Sequence, residues 1–169
     1  MRNRKKMRSL TIMGMLLGIA VIFGFLKIPV SDVIEFRFAY LPIALTGALF
    51  GPGAGMIVGG LSDILGYVVR PTGAFFPGFT LSSAIQGCIF GLFLYKKEWT
   101  LKRILTSHVL QTVICGAVLN TLWLVALYKL SFTKIIGLRL IKYLVMIPME
   151  IAILYFVLKT VKRMNLDIE

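Results

Sequence analysis

The sequence predicts an all-α membrane protein, six transmembrane helices in a compact bundle with both termini cytoplasmic. Three observations carry that prediction. Of 169 residues, 58% are hydrophobic, and the mean hydropathy is +0.88. Long apolar stretches alternate with short basic clusters, and no soluble amphipathic pattern is present.

The opening MRNRKKMRSL before an apolar run imitates a signal peptide. No small-x-small cleavage site follows Phe23, Gly24, Phe25 and Leu26, so an uncleaved first helix is expected over 10–26. After the connection LKIPVSDVIEFRF comes an apolar segment at 39–50. A helix of about 12 residues reaches about 18 Å against a hydrocarbon core of about 30 Å, so a short or broken second helix, helped by Pro42, is expected. The third, 54–69 after GPG, is doubtful as a full span for the same reason. The fourth, 78–95, follows an aromatic loop. The fifth, 104–128, follows KKEWTLKR, the sixth, 137–158, follows KLSFTKIIG, and residues 1–169 form one membrane domain.

A net charge of +12 would suggest nucleic acid in a soluble chain, but here topology accounts for most of it. With the N terminus inside, Arg2, Arg4, Lys5, Lys6, Arg8, Lys96, Lys97, Lys102, Arg103, Lys159, Lys162 and Arg163 all fall on the cytoplasmic side, as the positive-inside rule requires. Lys27, Arg37, Arg70, Lys129, Lys134, Arg139 and Lys142 remain near the outer helix ends, opposed by Asp32 and Glu35. Snorkelling anchors explain the lysines, whereas three arginines beside an aromatic loop fit attraction of an anionic solute.

That loop is GAFFPGFTLSS at 73–83, just after Arg70. Pro71 and Pro77 stiffen it, Gly73 and Gly78 permit turns, and Phe75, Phe76 and Phe79 offer flat apolar surface suited to a ring. Inside the apolar segments, Asp63, Gln86, Asn120 and Glu150 need a reason to be there. For each acid, an ion pair with Arg37, Arg70 or Arg139 competes with ligand contact. Arg139, Tyr143, Met146 and Glu150 share one helical face. Eleven residues, about 16 Å of helix, keep Arg139 from pairing with Glu150, so the stripe suits the wall of an elongated cavity with the acid deeper. Ser83, Gln86 and Phe90 make a similar face on the fourth helix, and Gly116, Asn120 and Trp123 on the fifth, with core packing the competing reading of Trp123.

Glycines recur at packing spacing: Gly14 and Gly18, Gly47 and Gly51, Gly55 and Gly59, Gly87 and Gly91. The last three pairs are expected inside the bundle, and the first on a face toward a partner. Cys88 and Cys115 lack CxxC spacing and read as packing residues. No catalytic constellation is evident. His108 is expected near a cytoplasmic helix end, Ser82 and Ser83 have no nearby base, and GPGAG at 51–55 lacks the GK[ST] of a phosphate loop. Neither an enzyme nor a cofactor is expected, and ATP-driven work would need another chain.

FRFAYLPIALTGALFGPGAGMIVGGLSDILG at 36–66 and GAFFPGFTLSSAIQGCIFGLFLY at 73–95 resemble the substrate-binding S components of energy-coupling factor (ECF) transporters, specifically the folate type. RLIKYLVMIPMEIAIL at 139–154 resembles that family's last helix. The resemblance implies a multi-pass subunit of a prokaryotic cell membrane that captures a vitamin outside and docks with a transmembrane coupling protein and two ATPases. It also implies that Gly14 and Gly18 stand where the family carries a small-xxx-small patch, usually of alanines, against the coupling protein. For folate, Asp63 or Glu150 would accept the donor edge of the pterin, Phe75, Phe76 and Phe79 would cover its rings, and Arg37, Arg70 and Arg139 would meet the dianionic glutamate tail. An S component for riboflavin or thiamine, and a membrane scaffold in which the polar stripe is structural, are the competing readings.

Overall fold

The computed structural model describes residues 2–25, 27–31, 34–71, 75–128 and 132–163; the side chains at 2, 3, 5, 27–31, 34–37, 128, 132–142, 144 and 145 lie outside the described set. Helix α1 (Arg2–Phe25) leads into an antiparallel hairpin of β1 (Lys27–Ser31) and β2 (Ile34–Arg37). Then come α2 (Tyr40–Phe50), α3 (Pro52–Val69) and α4 (Pro77–Leu94). The fifth rod joins α5 (Leu101–Gln111), a π-helical stretch (Thr112–Leu119) and α6 (Asn120–Tyr128), and α7 (Phe132–Arg163) is the sixth. The all-α membrane fold class holds.

Among the described residues four helices are long and apolar enough to cross a membrane: Lys6–Phe25, Pro52–Val69, Pro77–Leu94 and Leu101–Leu127. The third is therefore not short, because Pro52 starts it two residues before its apolar run, with proline at a position whose N–H has no partner within a helix. The second is short, 11 residues, and Pro42 lies in its first turn rather than breaking it. The segment read as a plain connection forms the hairpin, in register Lys27↔Arg37 and Ile28↔Phe36, with a bulge between Pro29 and Ser31. A two-stranded ribbon tolerates Pro29 because edge strands need not donate every N–H.

Short α2 is buried along most of its length, which suits a helix that is apolar all round. It lies against α4, and α4 packs most extensively on α3. Glycine makes this approach possible. A Cβ at Gly47 would stand 2.8 Å from the Gly91 nitrogen and 2.9 Å from the Gly87 oxygen, and Cβ atoms at Gly55 and Gly87 would each run into the other's carbonyl. Gly51 turns α2 into α3 with φ +95°, a conformation that side-chain-bearing residues rarely adopt. The apolar core of Leu41, Ala44, Ala48, Phe90, Leu94, Ile104, Leu154 and Leu158 fills the end of the bundle away from the aromatic loop. At that end the carbonyls closing α4 are capped by Lys97 Nζ, 2.8 Å from the Leu92 oxygen, and Trp99 Nε1, 3.1 Å from the Leu94 oxygen.

Candidate functional site

The other end of the bundle holds a cavity of about 780 Å³, within the roughly 300–1,000 Å³ typical of small-molecule sites. Every helical rod contributes to it: α1 through Ala20, Gly24 and Phe25, α2 through Tyr40 and Ile43, α3 through Ser62, Asp63, Gly66, Tyr67 and Arg70. Phe75 and Phe76 of the loop and Phe79, Ser83 and Gln86 of α4 form another wall. The fifth rod presents Gln111, Thr112, Cys115, Gly116, Asn120 and Leu124, and α7 presents Tyr143, Met146 and Glu150.

Most of the predicted site residues thus meet at one place. Asp63, Arg70, Phe75, Phe76, Phe79, Ser83, Gln86, Asn120, Tyr143 and Glu150 all line the cavity. Pro77 does not; it is the first residue of α4, where its fixed φ starts the helix. Trp123 stands behind the wall, its Nε1 donating to Ser82 Oγ at 3.0 Å and its ring 5.5 Å from that of Phe76. It supports the aromatic surface, and Gly78 leaves room for it, since a Cβ there would stand 2.6 Å from the indole. The side chains of Arg37 and Arg139 lie outside the described residues.

The ring surface has its own packing. Phe76 meets Phe79 edge to face at 6.1 Å between centroids, and Phe75 leans on Tyr67 at 5.1 Å. Phe75 remains 45% exposed, so it stands at the rim. Arg70 is exposed at the same rim and, among the described residues, has no carboxylate partner.

Both acids are held from behind. Thr80 Oγ1 donates to Asp63 Oδ2 at 2.7 Å, and no ion pair joins Asp63 to Arg70. Glu150 Oε2 lies 2.9 Å from His108 Nε2, while the Tyr40 hydroxyl donates to the Glu150 main-chain oxygen at 3.1 Å. His108 is fully buried. That corrects its expected place near a cytoplasmic helix end: α5 reaches inward far enough to set it between the rings of Tyr40 and Phe90, at 5.4 and 6.2 Å.

Sequence reasoning missed Tyr40, Tyr67, Gln111, Thr112 and Cys115 as lining residues. Gln111 and Thr112, hydrogen-bonded to each other at 3.1 Å, were findable as polar groups within an apolar run. Cys115, read as packing, is buried and lines the cavity as well. The π-helical turns bring Thr112, Cys115 and Gly116 to the same wall, and such turns often mark functional sites. Asn120 Oδ1 is buried there without a hydrogen-bond partner among the described residues.

Residues 8–161 match the family model of the ECF transporter, substrate-specific component. The chain is 34% identical over 163 residues to the folate transporter FolT of Clostridium novyi (strain NT), covering 96% of this chain and 94% of that one. It is 30% identical over 157 residues to the folate transporter FolT of Leuconostoc mesenteroides, covering 89% and 84%. Its fold matches a crystal structure of FolT bound with folic acid at TM-score 0.82 and 31% identity, covering 89% of this chain and 92% of that one. These relatives are membrane transporters rather than enzymes. The chain belongs to the substrate-specific components of ECF transporters.

Proposed function

We propose that this chain is the folate-binding S component of an ECF transporter, which captures folate outside the cell and delivers it through a shared ATP-driven module. The order of groups in the cavity carries the reading. Arg70 and Phe75 stand at the rim, Phe76 and Phe79 line the wall, and Glu150 sits at the floor beside the core residue Ile151. Folate has the same order: a dianionic tail, a benzoyl ring, then a pterin whose N–H edge suits a carboxylate. Similarity to two folate transporters and to a folic acid complex supports it. Arg37 and Arg139 are the further candidates for the tail.

In this reading the module comprises a transmembrane coupling protein and two ATPases. Gly14 and Gly18 suit the contact with the coupling protein, because they lie exposed on α1 with nothing within 4 Å of a Cβ built on either. Labelled folate should bind the purified chain in detergent at submicromolar concentration, with riboflavin and thiamine failing to compete. Absence of folate binding at micromolar concentration, or displacement by riboflavin, overturns the proposal.

A further inference from the structure

We propose that His108 is a positioning residue for ligand recognition: it does not line the cavity but anchors Glu150 from behind, turning the carboxylate toward the pterin edge. The inference rests on the folate reading above. His108 is fully buried and absent from the cavity wall, whereas Glu150 lines the cavity with its side chain 16% exposed. The Nε2–Oε2 separation of 2.9 Å is a hydrogen-bond distance.

Hydrogen-bond accounting fixes the arrangement. Nδ1 is buried without a partner among the described residues, so the tautomer that leaves no N–H orphaned carries its proton on Nε2 and donates it to Glu150. A neutral donor holds the acid without cancelling its charge. An arginine in this place would engage both carboxylate oxygens in a bidentate pair and leave little for a ligand. With histidine, one oxygen is committed behind and the carboxylate still accepts from the paired N–H groups of a pterin in front. Tyr40 adds rigidity, its hydroxyl holding the main chain of Glu150 while its ring packs edge-on against the imidazole. Two links from different helices therefore hold the carboxylate and the main-chain carbonyl of Glu150 before any ligand arrives, the kind of support that preorganises a site.

Histidine occurs once in the chain, which makes a direct test available without mutation. In tag-free protein labelled with 15N-histidine, the expected spectrum is that of the Nε2–H tautomer. Its Nε2 signal should shift on adding folate or a free pterin and stay in place with p-aminobenzoylglutamate. His108→Leu should weaken folate and free pterin by about tenfold or more and leave p-aminobenzoylglutamate unchanged, while His108→Gln, which keeps a donor, should recover most of the loss. An Nδ1–H tautomer, or an unmoved signal in protein that binds folate, overturns the positioning role and leaves the folate reading standing. Failure of the unmodified protein to bind folate overturns both.

Discussion

Gly87→Ala is expected to destabilise the protein by about 3 kcal/mol or more, enough to abolish a cooperative thermal transition in detergent near the temperature at which the unmodified chain unfolds. The added methyl would overlap the carbonyl of Gly55 and stand 3.1 Å from its Cα. Gly55 offers no relief, because its own missing Cβ would meet the Gly87 carbonyl on one side and the Gly47 Cα at 3.1 Å on the other. Backbone faces backbone throughout, so no rotamer change can make room, and α2, α3 and α4 would have to move apart. Gly53→Ala is the control. It lies exposed on α3 with nothing within 4 Å of the new methyl, and replacing a helical glycine there should stabilise by up to about 1 kcal/mol. Near-equal unfolding temperatures for the two variants would show that the helices do not approach so closely.

That seam was legible in the sequence because glycine at every fourth residue of an apolar helix has few uses other than close packing. An added Cβ at Gly47, Gly55, Gly59, Gly87 or Gly91 would meet backbone atoms across it, while at Gly14 or Gly18 it would meet nothing within 4 Å. The wall of α7 was legible for a similar reason: periodicity alone places Tyr143, Met146 and Glu150 on one face, and all three line the cavity. What sequence did not reveal depends on contacts between distant segments. His108 follows basic Lys102 and Arg103 and so suggested a helix end, yet it is buried within α5 and meets Glu150, 42 residues away. Trp123 stands behind the cavity wall, where its indole N–H donates to Ser82, 41 residues away. The hairpin between α1 and α2 depends on pairing between two short strands, which no single residue of the connection announces. The π-helical turns shift the register of backbone hydrogen bonds and leave no side-chain signature.

Glu150→Gln should weaken folate by about 10- to 100-fold and free pterin by the same factor, leaving p-aminobenzoylglutamate unaffected. The substitution keeps shape and removes charge, and the local geometry makes it worse than a lost charge alone. If the new amide turns its oxygen to His108, its NH₂ faces the N–H edge of the ring, donor against donor. If it turns the other way, the NH₂ meets the Nε2–H of His108 instead. No orientation serves both partners as fully as a carboxylate does. Arg70→Ala should show the opposite pattern, weakening folate and p-aminobenzoylglutamate alike and sparing free pterin. Its effect should be smaller, about two- to fivefold, because Arg70 is exposed at the rim and its attraction for the tail is screened by water. Raising the salt concentration should erode the Arg70 contribution and leave that of Glu150 nearly intact, since the deeper group is shielded from mobile ions. Asp63→Asn completes the comparison. If it abolishes pterin binding while Glu150→Gln does not, the ring is held by α3, one oxygen of whose acid is already occupied by Thr80, and the tail must then run toward α7, reversing the order of groups along the cavity.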